Sequence, residues 1–378
     1  MLCILSCPDL GLDAVGMLLP TRDRAGTDAA LAGLVAAGSL HLGGPPKASR
    51  WRVPDALHGE RDAADQEATA DPEVTAAHER LIEHHLVRLT EVSETLEPGK
   101  FVFSEPPGAG WAPPGRPVAR VWVEAEYLTV MACRRLAVDL GRDDVVWRIG
   151  ERLWIPLRSA GLFDAVLDSR SVAADAADRA EHPYVPAAHS RMCWALTRLG
   201  RHGKAARVGA LAVAFDHAWS RATAWSQLGR AYHAHGAPDL AVDCLRRAEA
   251  EDTLPAARGQ GRRHIGEVRR STGDLVGAEA DFRAALELIV SDLRPRHPET
   301  ARVLVLLAEV LVEQDRACEA VDELGEAVGL LDPDADALYL AEVELHLGHA
   351  LLAHGDRAGH PRRAQDACAC HDAIGGVD

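Results

Sequence analysis

Apolar positions along the chain recur mainly at helical spacing. Trp225, Leu228 and Tyr232 stand at i, i+3 and i+7 and form one stripe. Glu73–Leu96 carries Leu81, Ile82, Leu86 and Leu89 at the same rhythm, which predicts a linking helix within residues 71–97. Three further helices are predicted over Val121–Leu140, Asp144–Ser159 and Leu162–Ala180, with Gly141 and Gly161 between them and a kink near Pro156. Together they make a degenerate helical region over residues 121–185. The first 70 residues differ. Leu12–Leu19 and Asp28–Ala37 are short helical runs, while Leu40–Leu42 and Arg50–Val53 read as strands around Gly43-Gly44-Pro45-Pro46. Two helices and a two-stranded wing predict a small winged-helix-like unit over residues 1–70. Pro98–Pro117 holds six prolines and four glycines, predicting a linker or long loop within residues 98–120.

From residue 186 to 378 the pattern repeats itself. The clearest unit joins Trp225, Leu228, Gly229, Tyr232, Gly236, Ala241, Leu245 and Ala248, a spacing that resembles the tetratricopeptide repeat, a helix–turn–helix of about 34 residues. Gly229 and Ala241 are small where two helices would cross, and Gly236 can end the first helix with positive φ. A second copy holds Ile265, Gly266, Gly273, Ala278, Phe282 and Ala285; a third holds Leu304, Leu307, Ala308, Leu311, Ala320, Leu324 and Ala327. Weaker copies flank them, one upstream with Leu196, Gly200, Ala205 and Ala212, one downstream with Leu347, Gly348, Leu351 and Gly355. The positions equivalent to Gly229 are 193, 229, 266, 308 and 348, in steps of 36, 37, 42 and 40, so the array is irregular.

Composition agrees with helices. The 378 residues include 66 alanines but only 17 aromatics. The fold class expected is therefore all-α, a helical solenoid behind a small winged-helix-like domain. A formal charge of −16 opposes non-specific binding to nucleic acid or membrane surfaces. Eight irregularly spaced cysteines and an N-terminus without a positive region predict a soluble cytoplasmic protein with reduced thiols.

The order of segments resembles the C-terminal portion of bacterial NB-ARC signal-transduction ATPases, regulators that couple an ATPase switch to tetratricopeptide repeats. Three stretches carry this: Cys7-Pro-Asp-Leu-Gly-Leu-Asp-Ala14; Ala29–Leu42 with Arg50-Trp-Arg-Val-Pro-Asp-Ala56; and Trp122-Val-Glu-Ala-Glu-Tyr-Leu128. Family members usually have His where Pro54 stands. The resemblance implies a winged helix, a short helical region and a repeat sensor, with the nucleotide-binding domain missing. Lysine usage tests the last point. A phosphate loop needs G-x4-G-K-[S/T]. The three lysines, Lys47, Lys100 and Lys204, all lack that context, so ATP binding and switching are not expected of these residues.

Other candidate chemistry is thin. His78-Glu79 lacks the second His of a zinc-protease helix because Ile82 stands there, and it reads as a solvated helix face. Asp332, Asp334 and Asp336 begin like a calcium loop, but Ala337 and Val343 replace its glycine and glutamate. Cys368, Cys370 and His371 offer three soft ligands in a small-residue tail without a fourth. Cys3 and Cys7 read as buried small apolar groups. No enzyme activity, cofactor or metal is expected.

The positive expectation is a groove. The repeat resemblance implies that first helices face inward, placing Trp194, Arg198, Ser226, Arg230, His233, Arg263, Arg270 and Arg302 there. Five arginines in an acidic protein would attract an acidic peptide, a carboxylate or a phosphorylated partner, unless glutamates such as Glu267 and Glu309 neutralise them. Residues 1–66 carry six basic against eight acidic side chains, and Asp28–Ala37 has no basic one, so this unit is not expected to read DNA. The chain thus reads as a non-catalytic regulatory sensor or scaffold that binds a protein or peptide partner, within a transcriptional or signal-transduction system. The alternative is a self-standing repeat protein that answers to a peptide or small ligand without an ATPase switch.

Overall fold

The computed structural model describes residues 10–18, 24–37, 40–43, 50–52, 71–97, 102–108, 114–215, 218–292, 298–331 and 337–353. Cys3, Cys7, Lys47, Lys100, the Asp332–Asp336 run and the Cys368, Cys370 and His371 cluster lie outside them. The chain divides into two compact units, residues 1–188 and 189–378.

In the first unit, strands β1 (Leu10–Gly11), β2 (His41–Gly43) and β3 (Arg50–Arg52) form an antiparallel sheet in the order β1-β3-β2. Trp51 pairs with Leu10 on one side and Leu42 on the other. The sequence suggests only two strands; a two-residue strand is too short to show a period, and pairing to β3 alone defines it. Helices α1 (Leu12–Leu18) and α2 (Arg24–Ala36) accompany the sheet, with Leu10, Val15, Leu18, Leu31 and Leu40 buried.

Helix α3 (Pro72–Leu96) starts at an Asp71 cap whose carboxylate accepts the Glu73 amide at 2.8 Å, with proline in its first turn. Its expected apolar residues Leu81, Ile82, Leu86 and Leu89 are all buried. So is His78, only 1% exposed, which corrects the reading of His78-Glu79 as a solvated face. The helical period puts His78 on the stripe with Leu81, Ile82 and His85, while Glu79 faces solvent. Helices α4 (Arg116–Asp139), α5 (Asp143–Ser159), α6 (Phe163–Arg179) and α7 (Val185–Arg198) follow. The expected loop over 98–120 is corrected at its end: α4 begins at Arg116, because Pro117 fits a helix's first turn as well as it fits a loop. Helix α5 continues past Pro156 to Ser159.

Tight turns join these helices. Gly141 (φ +68°), Gly161 (+69°) and Glu181 (+50°) are left-handed, and each turn closes with an amide donating five residues back, as from Arg142 to the Ala137 carbonyl at 2.8 Å.

The second unit contains the remaining hairpins. Helices α8 (His202–Ala214), α9 (Ala218–Ala234), α10 (Pro238–Glu251), α11 (Pro255–Ser271), α12 (Leu275–Asp292), α13 (Pro298–Glu313), α14 (Ala317–Leu330) and α15 (Ala337–Ala353) pack in sequence. Small residues permit the close crossings. A methyl on Gly229 would come within 2.8 Å of Leu245 Cγ, and one on Gly266 within 2.6 Å of the Phe282 ring. Gly236 takes φ +80° at the turn. Leu228, Ala241, Ala278, Phe282 and Ala320 are buried as the repeat pattern requires. Trp225 and Tyr232 are only half-buried: Arg247 stacks on the Trp225 ring at 4.8 Å, and Tyr232 leans on Ala241, Leu245, Ile265 and Val268.

Candidate functional site: one face of the repeat hairpins

The first helices of successive hairpins, α9, α11, α13 and α15, touch one another in a row. Side chains at equivalent repeat positions therefore share a face. Its electrostatics are uneven.

Arg263 is buried between two carboxylates: it pairs with Glu267 one turn along α11 and with Glu299 of α13 at 2.8 Å. Its Nη2 also donates to His264 Nε2 at 3.1 Å, and His264 Nδ1–H donates to Glu267 at 3.0 Å, so His264 is neutral. Burial, reinforced by the Arg263 charge, lowers the His264 pKa to about 4. Burial works the other way on Glu267, but His264, Arg263 and Arg230 outweigh it and hold Glu267 at about 2. Arg270 pairs with Glu309 and with Glu313 at 2.6 Å. Exposed Arg302 pairs with Glu299 at 3.5 Å. Those three arginines are thus matched by carboxylates, which removes much of the positive field that counting arginines suggests.

Arg230 is different. Among the described residues its one hydrogen bond joins the neutral amide of Gln227 at 3.4 Å. Burial and then the neighbouring Arg263 lower its pKa, with a further push from Arg198. The acid nearest in effect, Glu267, already serves Arg263 and His264. Arg198 is exposed on α7, Trp194 and Ser226 are half-buried, and His233 reaches Ser271 Oγ at 3.0 Å across to α11. Six of the eight expected residues therefore lie on α9, α11 and α13, with Trp194 and Arg198 on α7; Arg230 and Arg263 both act on Glu267, and Arg263 and Arg302 share Glu299.

Further along the face lies a cavity of about 280 Å³ with an apolar floor of Val305, Ala308, Val312, Leu324 and Ala350. Its rim carries Arg270, Glu309, Glu313, His346 and His349, with His346 Nδ1 at 3.4 Å from Glu309. Arg270 belongs to the expected groove set and Glu309 was expected only as its neutralising partner; Glu313, His346 and His349 are absent from that set. The signal for finding them was present: taking Ala308 as the equivalent of Gly229 puts Glu309 where Arg230 stands. Among the described residues no helix is long and apolar enough to cross a membrane, and no group of three side chains could hold a metal ion.

A family profile described as "Tetratricopeptide repeat" matches residues 258–332. No curated protein matches the chain in sequence. Among solved structures, the chain is similar to BtubC (BKLC) from P. vanneervenii, with 17% identity over 57% of this chain and 93% of that one, and a TM-score of 0.50. It is also similar to the STAND protein with a tetratricopeptide repeat sensor PH0952 from Pyrococcus horikoshii, at 12% identity and a TM-score of 0.47. That alignment covers 97% of this chain but 54% of the other, so the chain spans about half that protein's length. A putative kinesin light chain from Podosopora anserina, with nearly identical TPR-like repeats, matches 51% of this chain and 96% of its own at 20% identity, TM-score 0.43. The fold is all-α, with a helical solenoid of tetratricopeptide type, an architecture suited to protein–protein interaction.

Proposed function

We propose that the chain is a non-catalytic, cytoplasmic interaction scaffold of a regulatory system, and that the row of first helices in its second unit captures a protein or peptide partner. The observation that carries this is Arg230. A guanidinium taken out of water beside two other arginines, with a neutral amide as its one hydrogen-bond partner among the described residues, is destabilised where it stands. A carboxylate or phosphate supplied by a partner would complete it with charge-assisted hydrogen bonds. The three-stranded sheet with α1 and α2 supports a winged-helix reading of the N-terminal part. Its surplus of acidic over basic residues favours packing over DNA reading.

An array of synthetic acidic and phosphorylated peptides, read by fluorescence anisotropy at low and moderate salt, tests the proposal. Peptides that bind should lose about tenfold in affinity in Arg230→Gln, a cost of about 1.4 kcal/mol, and little in Arg302→Gln at the exposed pair. Binding that ignores Arg230→Gln, or the absence of any binding acidic peptide, would remove the proposal.

A further inference from the structure

Residues 102–108 join α3 to α4 without regular structure, yet α5 reads their backbone almost atom by atom. Glu151 accepts the amides of Phe103 at 2.7 Å and Ser104 at 2.8 Å. Arg152 donates Nε to the Ser104 hydroxyl at 2.7 Å and Nη2 to the carbonyls of Ser104 and Glu105 at 3.1 and 2.5 Å. Both charged side chains are 1% exposed. The Phe103 ring stands edge-on to His182 and Tyr184, each with its centroid 6.0 Å away, and Trp147 stacks on His182 at 4.0 Å.

We propose that this is a second peptide-binding site, self-occupied: the slot on α5 and the α6–α7 turn accepts an extended peptide bearing an aromatic residue followed by serine. The chain's own Phe103-Ser104-Glu105 holds the place that a partner segment of the same chemistry can take. The contacts favour exchange over a fixed core role. Five hydrogen bonds go to two consecutive amides, two consecutive carbonyls and one hydroxyl, the features by which an extended strand is recognised. The strap adds little to the interior. The cluster of Trp147, Ala173, Ala174, Ala177, Tyr184, Val185, Ala187 and Ala188 is buried, and Phe103 only leans against it half-exposed. Glu105, Pro106 and Gly108 face solvent. Emptying the slot would strand two buried charges, whereas replacing one extended segment by another restores every bond. The slot therefore swaps occupants more readily than it stands vacant. Being tethered gives the strap an effective concentration of order millimolar, against which a partner must compete. This site lies wholly in the first unit and stands or falls independently of Arg230.

The probe is a fluorescein-labelled peptide of residues 101–108, Phe-Val-Phe-Ser-Glu-Pro-Pro-Gly, titrated into the full chain. Weakening the strap by Phe103→Ala with Ser104→Ala should make the peptide bind at least about tenfold more tightly than it binds the unaltered chain. Adding His182→Ala should then reverse most of that gain, and a scrambled peptide should not bind. If the double variant does not fold, Phe103→Leu, which keeps the bulk but loses the ring, replaces it with the same reading. Equal affinity for the weakened and unaltered chains, or no binding to either, would overturn the proposal.

Discussion

The first unit hides charge, and the second packs small residues. In residues 1–188 the interior contains Glu151, Arg152, Arg170, Arg134 and a His85–Glu126 pair at 3.4 Å, each tied to a specific partner. Arg170, for instance, donates to the Glu151 carbonyl at 3.2 Å and covers the rings of Trp154 and Tyr184 at 5.4 and 5.5 Å. In residues 189–378 the interior is largely alanine, leucine and valine. Arg263, Arg270 and Arg302 meet their carboxylates on the face of the first helices, and Arg221, Arg262 and Arg269 meet theirs against the second helices. A repeat needs only size and period at each position, so neighbouring hairpins can stack with variable loops. A polar interior is held by pairs that have no substitutes.

The largest effect should follow from removing one such buried charge. Arg152→Ala removes three hydrogen bonds to residues 104 and 105 and leaves the Ser104 and Glu105 acceptors without the guanidinium. We expect a loss of about 3–5 kcal/mol in the first unit, measured by urea unfolding followed through hydrogen exchange of α5. Exchange in α13 should not change. A loss below about 1 kcal/mol would mean that water or another group replaces the guanidinium, and the contrast between the units would fail.

A smaller effect is expected from removing the most recognisable residue of the second unit. A fully buried ring cut to alanine costs about 3–5 kcal/mol. Trp225 is half-buried, its indole N–H has no hydrogen-bond partner among the described residues, and Arg247 stacks on its ring. Trp225→Ala should therefore cost about 2–3 kcal/mol, less than Phe282→Ala, whose ring is wholly enclosed. If the order of these two losses is reversed, the register assigned to the repeats is wrong.

That ranking also marks how far the sequence is legible. Gly229, Ala241, Gly266, Ala278 and Ala320 announce close crossings because only small residues fit beneath a neighbour's side chain, as Gly266 does beneath the Phe282 ring. The face of the first helices is legible for the same reason. What a residue meets there is not. Arg230 and Arg270 are both expected as groove arginines, yet Arg270 finds Glu309 and Glu313 on α13, some 40 residues away, whereas among the described residues Arg230 hydrogen-bonds to Gln227. The slot on α5 was invisible. Glu151 and Arg152 look like ordinary surface charges of a helix, and only the return of residues 102–108 across them explains their burial.

The smallest expected effect is the most diagnostic, because its sign differs between the units. Burial disfavours a charged His85, but Cys133, Glu126 and the Leu81 carbonyl outweigh it and raise its pKa to about 10; the neighbouring His84 is instead lowered, by burial and by the His85 charge. With a folded value above the unfolded 6.5, His85 contributes stability that is fully present below pH 6.5 and lost as pH rises toward 10. His264, enclosed by Arg263, Glu267 and Arg230, has a folded value of about 4. Its contribution is present above pH 6.5 and lost as pH falls toward 4, with Glu267 adding a further loss between 4.5 and about 2. Each change should be on the order of 1–2 kcal/mol between adjacent conditions near pH 5, 7 and 9. Hydrogen exchange, corrected for the intrinsic rate at each pH, can follow α3 and α11 separately. From pH 7 to 9, protection should fall in α3 and hold in α11; from pH 7 to 5, it should fall in α11 and hold in α3. His85→Gln should flatten the alkaline limb alone. Parallel loss in both helices at either extreme would show that the two histidines share one environment's response and that the polar interior of the first unit is not what sets its pH dependence.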